Sequence, residues 1–348
     1  KNVEDLMKIY FFKGICILLF FVSCEKDMSN KTDFSWVASV TSIKDYPIEV
    51  HKGFLATHEN FITALHSSGI EDSGWKVDGQ SGGGGNIIPT MLSLTWVSYA
   101  EKKFWNIETT IDQATQNKIL ALFREGFYNW DRVKEQPKHD TYNHITVAVA
   151  PGGIVVLFIT GNAHRVEVAR YQAKETLVNI NAFVPVPGAF KDLNTFFDVC
   201  YKDGIAKYLQ EKIAKSGIPY GIWDIYREKY NWRFQTFFYK EDTLTDLYVG
   251  YINGEADYFN DDELSKKLFS QAALPLNIDF YFKIYNGEAK FDEEEIVAAF
   301  KKMKKNHPDK NIEIEAKVGF MYKTTTFIVK CEGEEIPLEK TVVKMYKN

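Results

Sequence analysis

Residues 141–172 carry the most regular pattern of apolar and polar positions in the chain. Ile145, Val147 and Val149 alternate with Thr146 and Ala148, a period of two that predicts a half-buried strand. Pro151-Gly152-Gly153 follows. Proline presets φ and glycine accepts positive φ, so the chain reverses here. Residues 154–159 are apolar on both faces, as in a strand covered on both sides. Gly161-Asn162 turns the chain again, and Val166 and Val168 alternate with charged neighbours. The pattern predicts a three-stranded antiparallel meander at the centre of a core.

Other segments follow the same logic. Residues 34–41 and 48–56 read as strands joined by a turn at 44–47. Residues 67–86 read as a loop, and Gly82–Gly85 within it as flexible chain: no GKS/T follows that would make a phosphate cradle. Residues 89–100 form a strand with Leu92, Leu94 and Trp96 on one face. Thr109 or Thr110 is placed to cap a helix whose stripe is Ile111, Ile119, Leu120, Phe123 and Phe127. Val184-Pro185-Val186-Pro187-Gly188 is a stiff break. A helix is predicted over 192–216 from Leu193, Phe196, Phe197, Cys200, Ile205, Leu209 and Ile213, and Gly217-Ile218-Pro219 stops it.

The remainder echoes the first part. Trp232 opens a strand as Trp36 does, 247–252 parallels 50–55, and 275–285 parallels 89–99. Ile296, Val297 and Phe300 match Ile119, Leu120 and Phe123, and strands at 312–320 and 325–331 stand where the meander stood. Another helix is expected at 263–271. Asp292 and Glu295 form a capping box, with Phe291 and Ile296 as its staple. The fold class is therefore α+β: two similar antiparallel-sheet-plus-helix halves, a tandem duplication, joined by a helical connector. The halves are 34–188 and 223–348, with the connector at 189–222.

The N-terminus changes the picture from fold to address. Lys8 and Lys13 precede a continuous apolar run, 14–22, of signal-peptide length. It ends Val22-Ser23-Cys24, which resembles a bacterial lipobox. Residues 1–23 then read as a signal peptide with an upstream extension, Cys24 as the site of lipid attachment, and 24–33 as a polar tether. Several acyl chains, at about 0.8 kcal/mol per buried methylene, hold a protein on a membrane. The expected address is the cell envelope, as an outer-membrane lipoprotein. Cys200 and Cys331 remain in a compartment that permits a disulfide, although two inert buried thiols are the simpler reading.

Composition adds little chemistry. The 19 tyrosines and 26 phenylalanines favour strands. Net charge is −5 with both signs well mixed, so there is no electrostatic footprint for nucleic acid. The seven histidines show no HExxH or other tight metal spacing, and there is no GxSxG elbow, so no metal, cofactor or catalytic residue is assigned. His307-Pro308-Asp309 resembles a co-chaperone loop but follows a helix and precedes a strand, and reads as a helix stop. The tryptophans fall mostly on strand faces, where core packing explains them better than a sugar platform.

Residues 96–104 (WVSYAEKKF), Ala150-Pro151-Gly152-Gly153 and Arg165-Val166-Glu167-Val168 together resemble the bacterial lipoproteins of domain of unknown function 2931, common in Bacteroidota. Tyr46-Pro47, Gly74-Trp75 and Asn253-Gly254-Glu255 fit the same pattern. The resemblance implies an exported lipoprotein and supplies no catalytic residues.

The expected function is a non-catalytic binding or interaction protein, with a protein or glycan as ligand and the membrane as a partner through its anchor. An envelope or glycan-directed hydrolase and an immunity or inhibitor protein against a secreted toxin are the alternatives. Ser98, Glu101 and Arg165 are the candidate ligand-binding residues. Metabolic labelling with an acyl analogue is expected to mark the wild-type chain and to leave Cys24→Ala unmarked; equal labelling refutes the lipid anchor.

Overall fold

Alternating β-branched and aromatic residues make strands the commonest regular element of this chain. The computed structural model describes residues 30–131, 136–237, 243–260, 263–264, 266 and 268–347. In chain order come β1 (Trp36–Ser42), β2 (Ile48–Ala56), β3 (Phe61–Ala64), β4 (Gln80–Gly85), β5 (Met91–Ser98), β6 (Lys103–Thr110) and helix α1 (Gln113–Glu125). A hairpin follows, β7 (Phe127–Asp131) and β8 (Gln136–Asp140). Then come β9 (His144–Ala150), β10 (Ile154–Gly161), β11 (His164–Gln172) and β12 (Lys174–Thr176). Four helices occupy the middle: α2 (Ile180–Phe183), α3 (Leu193–Gly204), α4 (Lys207–Ser216) and α5 (Ile222–Ile225). The last part holds β13 (Tyr230–Phe237), β14 (Leu244–Tyr251), β15 (Ala256–Phe259), β16 (Ser270–Ala272), β17 (Pro275–Phe282) and β18 (Tyr285–Lys290). Helix α6 (Glu293–Asn306), β19 (Ile312–Val318), β20 (Thr325–Cys331), β21 (Glu334–Pro337) and β22 (Val342–Lys347) complete it. The mixture is α+β, dominated by sheet.

The strands form a ten-stranded sheet in the order β22-β18-β17-β14-β15-β11-β10-β9-β1-β4, two five-stranded sheets, β12-β6-β5-β2-β3 and β16-β13-β19-β20-β21, and the β7-β8 hairpin. The meander β9-β10-β11 is antiparallel as its pattern predicts, and every residue of β10 is buried. Pairing is not antiparallel throughout. β1 lies parallel to β9, and β13 parallel to β19. Long crossovers through a second sheet and a helix separate each pair, which is what a parallel neighbour requires. Residues 33–348 hold all these elements and pack as one compact unit.

The cores explain the helices. In the C-terminal part, Ile296, Phe300 and Met303 of α6 pack with Phe280 of β17, Ile314 of β19 and Phe327 of β20. Each such buried side chain contributes about 1.5–3 kcal/mol. A second core sets Phe196 and Phe197 of α3, Leu209 of α4 and Trp223 of α5 against Phe104, Val156 and Phe158.

Several local expectations are corrected. The cap of α1 is Asp112, whose carboxylate accepts from Thr115 N at 2.7 Å, because Thr109 and Thr110 are still paired in β6. The helix expected over 192–216 is two helices: at Ile205 and Ala206 the backbone turns extended after Gly204. Of the helix expected over 263–271, residues 270–271 belong to β16 and residues 265 and 267 lie outside the described residues. Asp292 caps α6, but the Glu295 carboxylate accepts from the backbone of Glu339 and Lys340, so the box is only half formed. His307 ends α6 and its ring meets Glu334 at 3.0 Å, a helix stop as expected. Cys200 and Cys331 are both free thiols.

The largest correction is Gly82–Gly85, which is strand, not loop. β4 lies along β1 with Gly84 opposite Val37. A Cβ on Gly84 would sit 2.1 Å from the Trp36 carbonyl oxygen, and one on Gly82 2.2 Å from the His66 ring. Bare backbone is what lets β4 fit there. Gly84→Ala should therefore lower stability by about 1–3 kcal/mol in a thermal melt, whereas Ser81→Ala, at an exposed position of the same strand, should leave the melt unchanged.

Candidate functional site

Two regions concentrate polar or accessible features: the junction of β11 with β15, and an apolar pocket beside β13. At the junction Arg165 faces Ala256 across the strands. The small alanine leaves room for the guanidinium, which lies 4.5 Å over the Phe158 ring. Its Nη1 donates to Asp78 at 2.6 Å and to Thr160 Oγ1 at 3.1 Å. Nε and Nη2 are buried without a hydrogen-bond partner among the described residues. Burial pushes the Arg165 pKa down and the Asp78 carboxylate opposes that shift. The junction is reinforced by Arg227 on Glu167 at 2.8 Å, Lys229 on Glu255 at 2.9 Å, and Glu167 N on Glu255 Oε1 at 3.2 Å.

The three candidate residues read from sequence do not converge. Glu101 clamps a turn: its carboxylate accepts from Gly152 N at 2.9 Å and from the Trp105 indole at 3.1 Å. Ser98 is buried at the end of β5, opposite Ile48 and Lys103. Arg165 shares no hydrogen-bond partner with Glu101. Cys24 lies outside the described residues.

The pocket arises from a short edge strand. β16 pairs with β13 only at Tyr230, Asn231 and Trp232, so β13 runs on without it. There a cavity of about 380 Å³ opens. Trp232, Phe234, Leu247, Val249, Tyr251 and Phe259 line its interior, and Arg233, Glu263, Lys266 and Leu268 stand among its remaining wall residues. Arg233 is held by Glu313 at 2.9 Å and lies 4.3 Å over the Phe269 ring. The interior is apolar and aromatic, suited to an apolar ligand with a polar end at the rim.

Behind the pocket, the Tyr251 hydroxyl donates to Asp257 Oδ2 at 2.9 Å. The Asp257 side chain keeps an exposed edge, yet protein crowds its carboxyl, and that desolvation pushes its pKa up to about 6 against the pull of Tyr251. His164 Nδ1 lies 4.0 Å from Asp257 Oδ1, and burial pushes the imidazole down to about 4. At neutral pH this is an ionised carboxylate beside a neutral imidazole. A carboxyl titrating near 6 has the proton affinity of a general acid or base. Among the described residues no group of three or more His, Cys, Asp or Glu side chains is placed to hold a metal ion. Trp36, Trp75, Trp96, Trp105, Trp223 and Trp232 are all buried, so they offer no exposed sugar platform.

Sequence reasoning missed the pocket and Asp257. Phe234, Leu247 and Val249 carry the same apolar signal as core residues, and nothing in their spacing marks an open edge. No helix among the described residues is long and apolar enough to cross a membrane.

A family model described as a protein of unknown function, DUF2931, matches residues 23–221. No curated protein and no solved structure matches the chain. The matched span ends before the pocket and before Asn253-Gly254-Glu255.

Asp257 gives a pH signature. Its folded pKa is raised from 3.8 to about 6, so its contribution to stability is full below the unfolded pKa and is lost as pH rises through about 6. His164, lowered from 6.5 to about 4, acts oppositely: its contribution is full above the unfolded pKa and is lost as pH falls toward 4. Asp257→Asn removes the first effect alone. Its melting temperature relative to wild type should climb as pH rises from about 4 to about 7, and a flat difference would contradict the assignment.

Proposed function

The chain belongs to the DUF2931 family of proteins of unknown function, and on that premise we propose that it is a membrane-anchored, non-catalytic binding lipoprotein of the bacterial envelope. The observation that carries the binding reading is the cavity of about 380 Å³ beside β13, with Trp232, Phe234 and Val249 in its interior. The anchor rests on the apolar run 14–22 and Val22-Ser23-Cys24. The ligand class is an apolar group, borne by a lipid, glycan or peptide, with its polar end among Arg233, Glu263 and Lys266.

We further propose that the two halves arose by tandem duplication, joined by the helices of 189–222. The strand orders β4-β1-β9-β10-β11 and β16-β13-β19-β20-β21 support this, as do β3-β2-β5-β6-β12 and β15-β14-β17-β18-β22. The Trp36 indole donates to the Ile87 carbonyl, and the Trp232 indole to the Ala273 carbonyl. Phe34 meets Phe123 at 5.3 Å, and Tyr230 meets Phe300 at 5.3 Å. On this reading the pocket marks a divergence between the copies, since β4 pairs along β1 to Val40 where β16 stops at Trp232.

A second reading, an envelope or glycan-directed hydrolase, is favoured by Asp257 alone, whose pKa of about 6 suits proton transfer. One experiment separates the two. A naphthylamine probe or a fluorescent fatty acid is titrated into the protein. One saturable site is expected, weakened roughly tenfold in Leu268→Glu (about 1.4 kcal/mol) and lost in Val249→Trp. Leu268 is 70% exposed, so its substitution leaves the core intact. Turnover of a peptidoglycan, lipid or glycan substrate that Asp257→Asn abolishes in a stably folded protein would overturn the binding reading.

A further inference from the structure

β1 and β13 hold the same place in their sheets. Each lies parallel to a later strand on one side, β9 or β19, and antiparallel to one strand on the other, β4 or β16. The antiparallel partners differ in reach. β4 follows β1 from Trp36 to Val40, whereas β16 leaves β13 at Trp232. Counted from the two tryptophans, residues 37–40 correspond to 233–236. Among the described residues no strand pairs with β13 on that side at 233–236.

The cavity lies where the missing strand would run. In the N-terminal half the backbone of β4 is seated directly on Trp36 and β3. A Cβ on Gly85 would meet Ile62 Cγ2 at 2.5 Å and the Trp36 ring at 2.9 Å, and one on Gly83 would meet Thr63 Oγ1 at 2.4 Å. In the C-terminal half Trp232, and Phe259 of β15, face the cavity of about 380 Å³ instead. One half thus fills this space with its own strand, and the other leaves it open. Bare glycine would leave so large an apolar space without contacts, so its occupant needs apolar side chains where β4 has none.

The edge is also unguarded. Sheets protect open edges with lysine, proline, a bulge or an inward charge. Residues 234–237, Phe-Gln-Thr-Phe, contain no lysine, no proline and no charge. β13 pairs with β19 without a break in register from Trp232 to Phe237, so no bulge twists the edge away. Arg233, just before this stretch, is held by Glu313 of β19. A regular strand with one open side is a template for strand addition.

We propose that this site takes an extended peptide of a partner protein, which adds to β13 as an antiparallel strand at 233–236 and sets alternate apolar side chains, of valine or leucine size, against Trp232, Phe234 and Val249. This rests on the reading of the cavity as a binding site and specifies the occupant. Main-chain hydrogen bonds to β13 supply affinity, and the cavity selects the side chains of one face of the peptide. A fatty acyl chain can fill the cavity but offers no backbone to the edge.

The test titrates a fluorescein-labelled peptide of alternating valine and serine, with lysine at each end, into the protein and follows its anisotropy. One saturable site is expected. Exchanging the peptide's valines for aspartate, or N-methylating its backbone, should each weaken binding about tenfold or more, the second because it removes the ladder hydrogen bonds. Leu268→Glu, at a 70% exposed position of the cavity wall, should weaken it about tenfold and leave the thermal melt unchanged. Hydrogen exchange at 233–237 should slow with the peptide and stay as it was with a fluorescent fatty acid. Binding of the fatty acid without binding of the peptide overturns strand addition and leaves the cavity a site for apolar chains; binding of neither overturns both. Equal affinity for the N-methylated peptide, unchanged affinity in Leu268→Glu, or unslowed exchange at 233–237 in the peptide complex likewise overturns strand addition.

Discussion

A guanidinium set between two groups of strands has to be neutralised before one sheet can run through both. Arg165 sits at that place, on the Phe158 ring and opposite Ala256. An unpaired buried charge is among the costliest things an interior can hold. The compensation comes from Asp78, on the segment between β3 and β4. That segment is itself tied down: the Trp75 indole donates to the Val149 carbonyl at 3.0 Å, and Thr41 Oγ1 to the Gly74 carbonyl at 2.8 Å. Thr146 Oγ1 donates to Asp78 as well, at 2.7 Å. Gly254, at φ +89°, lets the turn after β14 approach this segment, where a Cβ would lie 2.9 Å from that of Trp75. The continuity of the ten-stranded sheet thus rests on a loop that belongs to neither of the strands it joins.

That arrangement separates two kinds of polar residue. Arg165 and Glu167 in β11, and Glu101 and Glu255 in the turns beside strands, are each spent on holding segments together. The pocket has the opposite character. Its walls are ordinary core residues, and it exists because one strand is short. Asp257 stands between the two, joined to the pocket through Tyr251 and to the junction through His164.

The same contrast decides what was legible in the sequence. The meander was legible because a period of two survives along Ile145, Val147 and Val149, and because β10 is apolar on both faces. Helix α6 was legible from its stripe and the Asp292 cap. β4 was not, since four glycines have no side chains to show a period; what makes them a strand is the room they leave for Trp36, Thr63 and His66. The break between α3 and α4 was hidden by an apolar stripe that continues across Gly204 into the next helix. Of the candidate ligand-binding residues, Arg165 is legible as a polar residue of a strand, but nothing in its spacing points to Asp78 as its partner. The pairing of β11 with β15 was invisible, because edge pairing depends on backbone groups that every residue shares.

Sharing a sheet also conceals two edges. β11 and β15 meet in register at Arg165 and Ala256, where their edges cover one another, and the Glu167 N–H turns to the Glu255 carboxylate instead. A protease cut within 189–222 followed by separation of the pieces would bare both edges at once. An open edge next to the fully buried β10 is a template for another chain. The most complementary occupant is the β15 edge of a second molecule, which restores the native register in exchange. Nicked protein is thereby directed toward a domain-swapped dimer, and toward open-ended chains wherever the exchange fails to close.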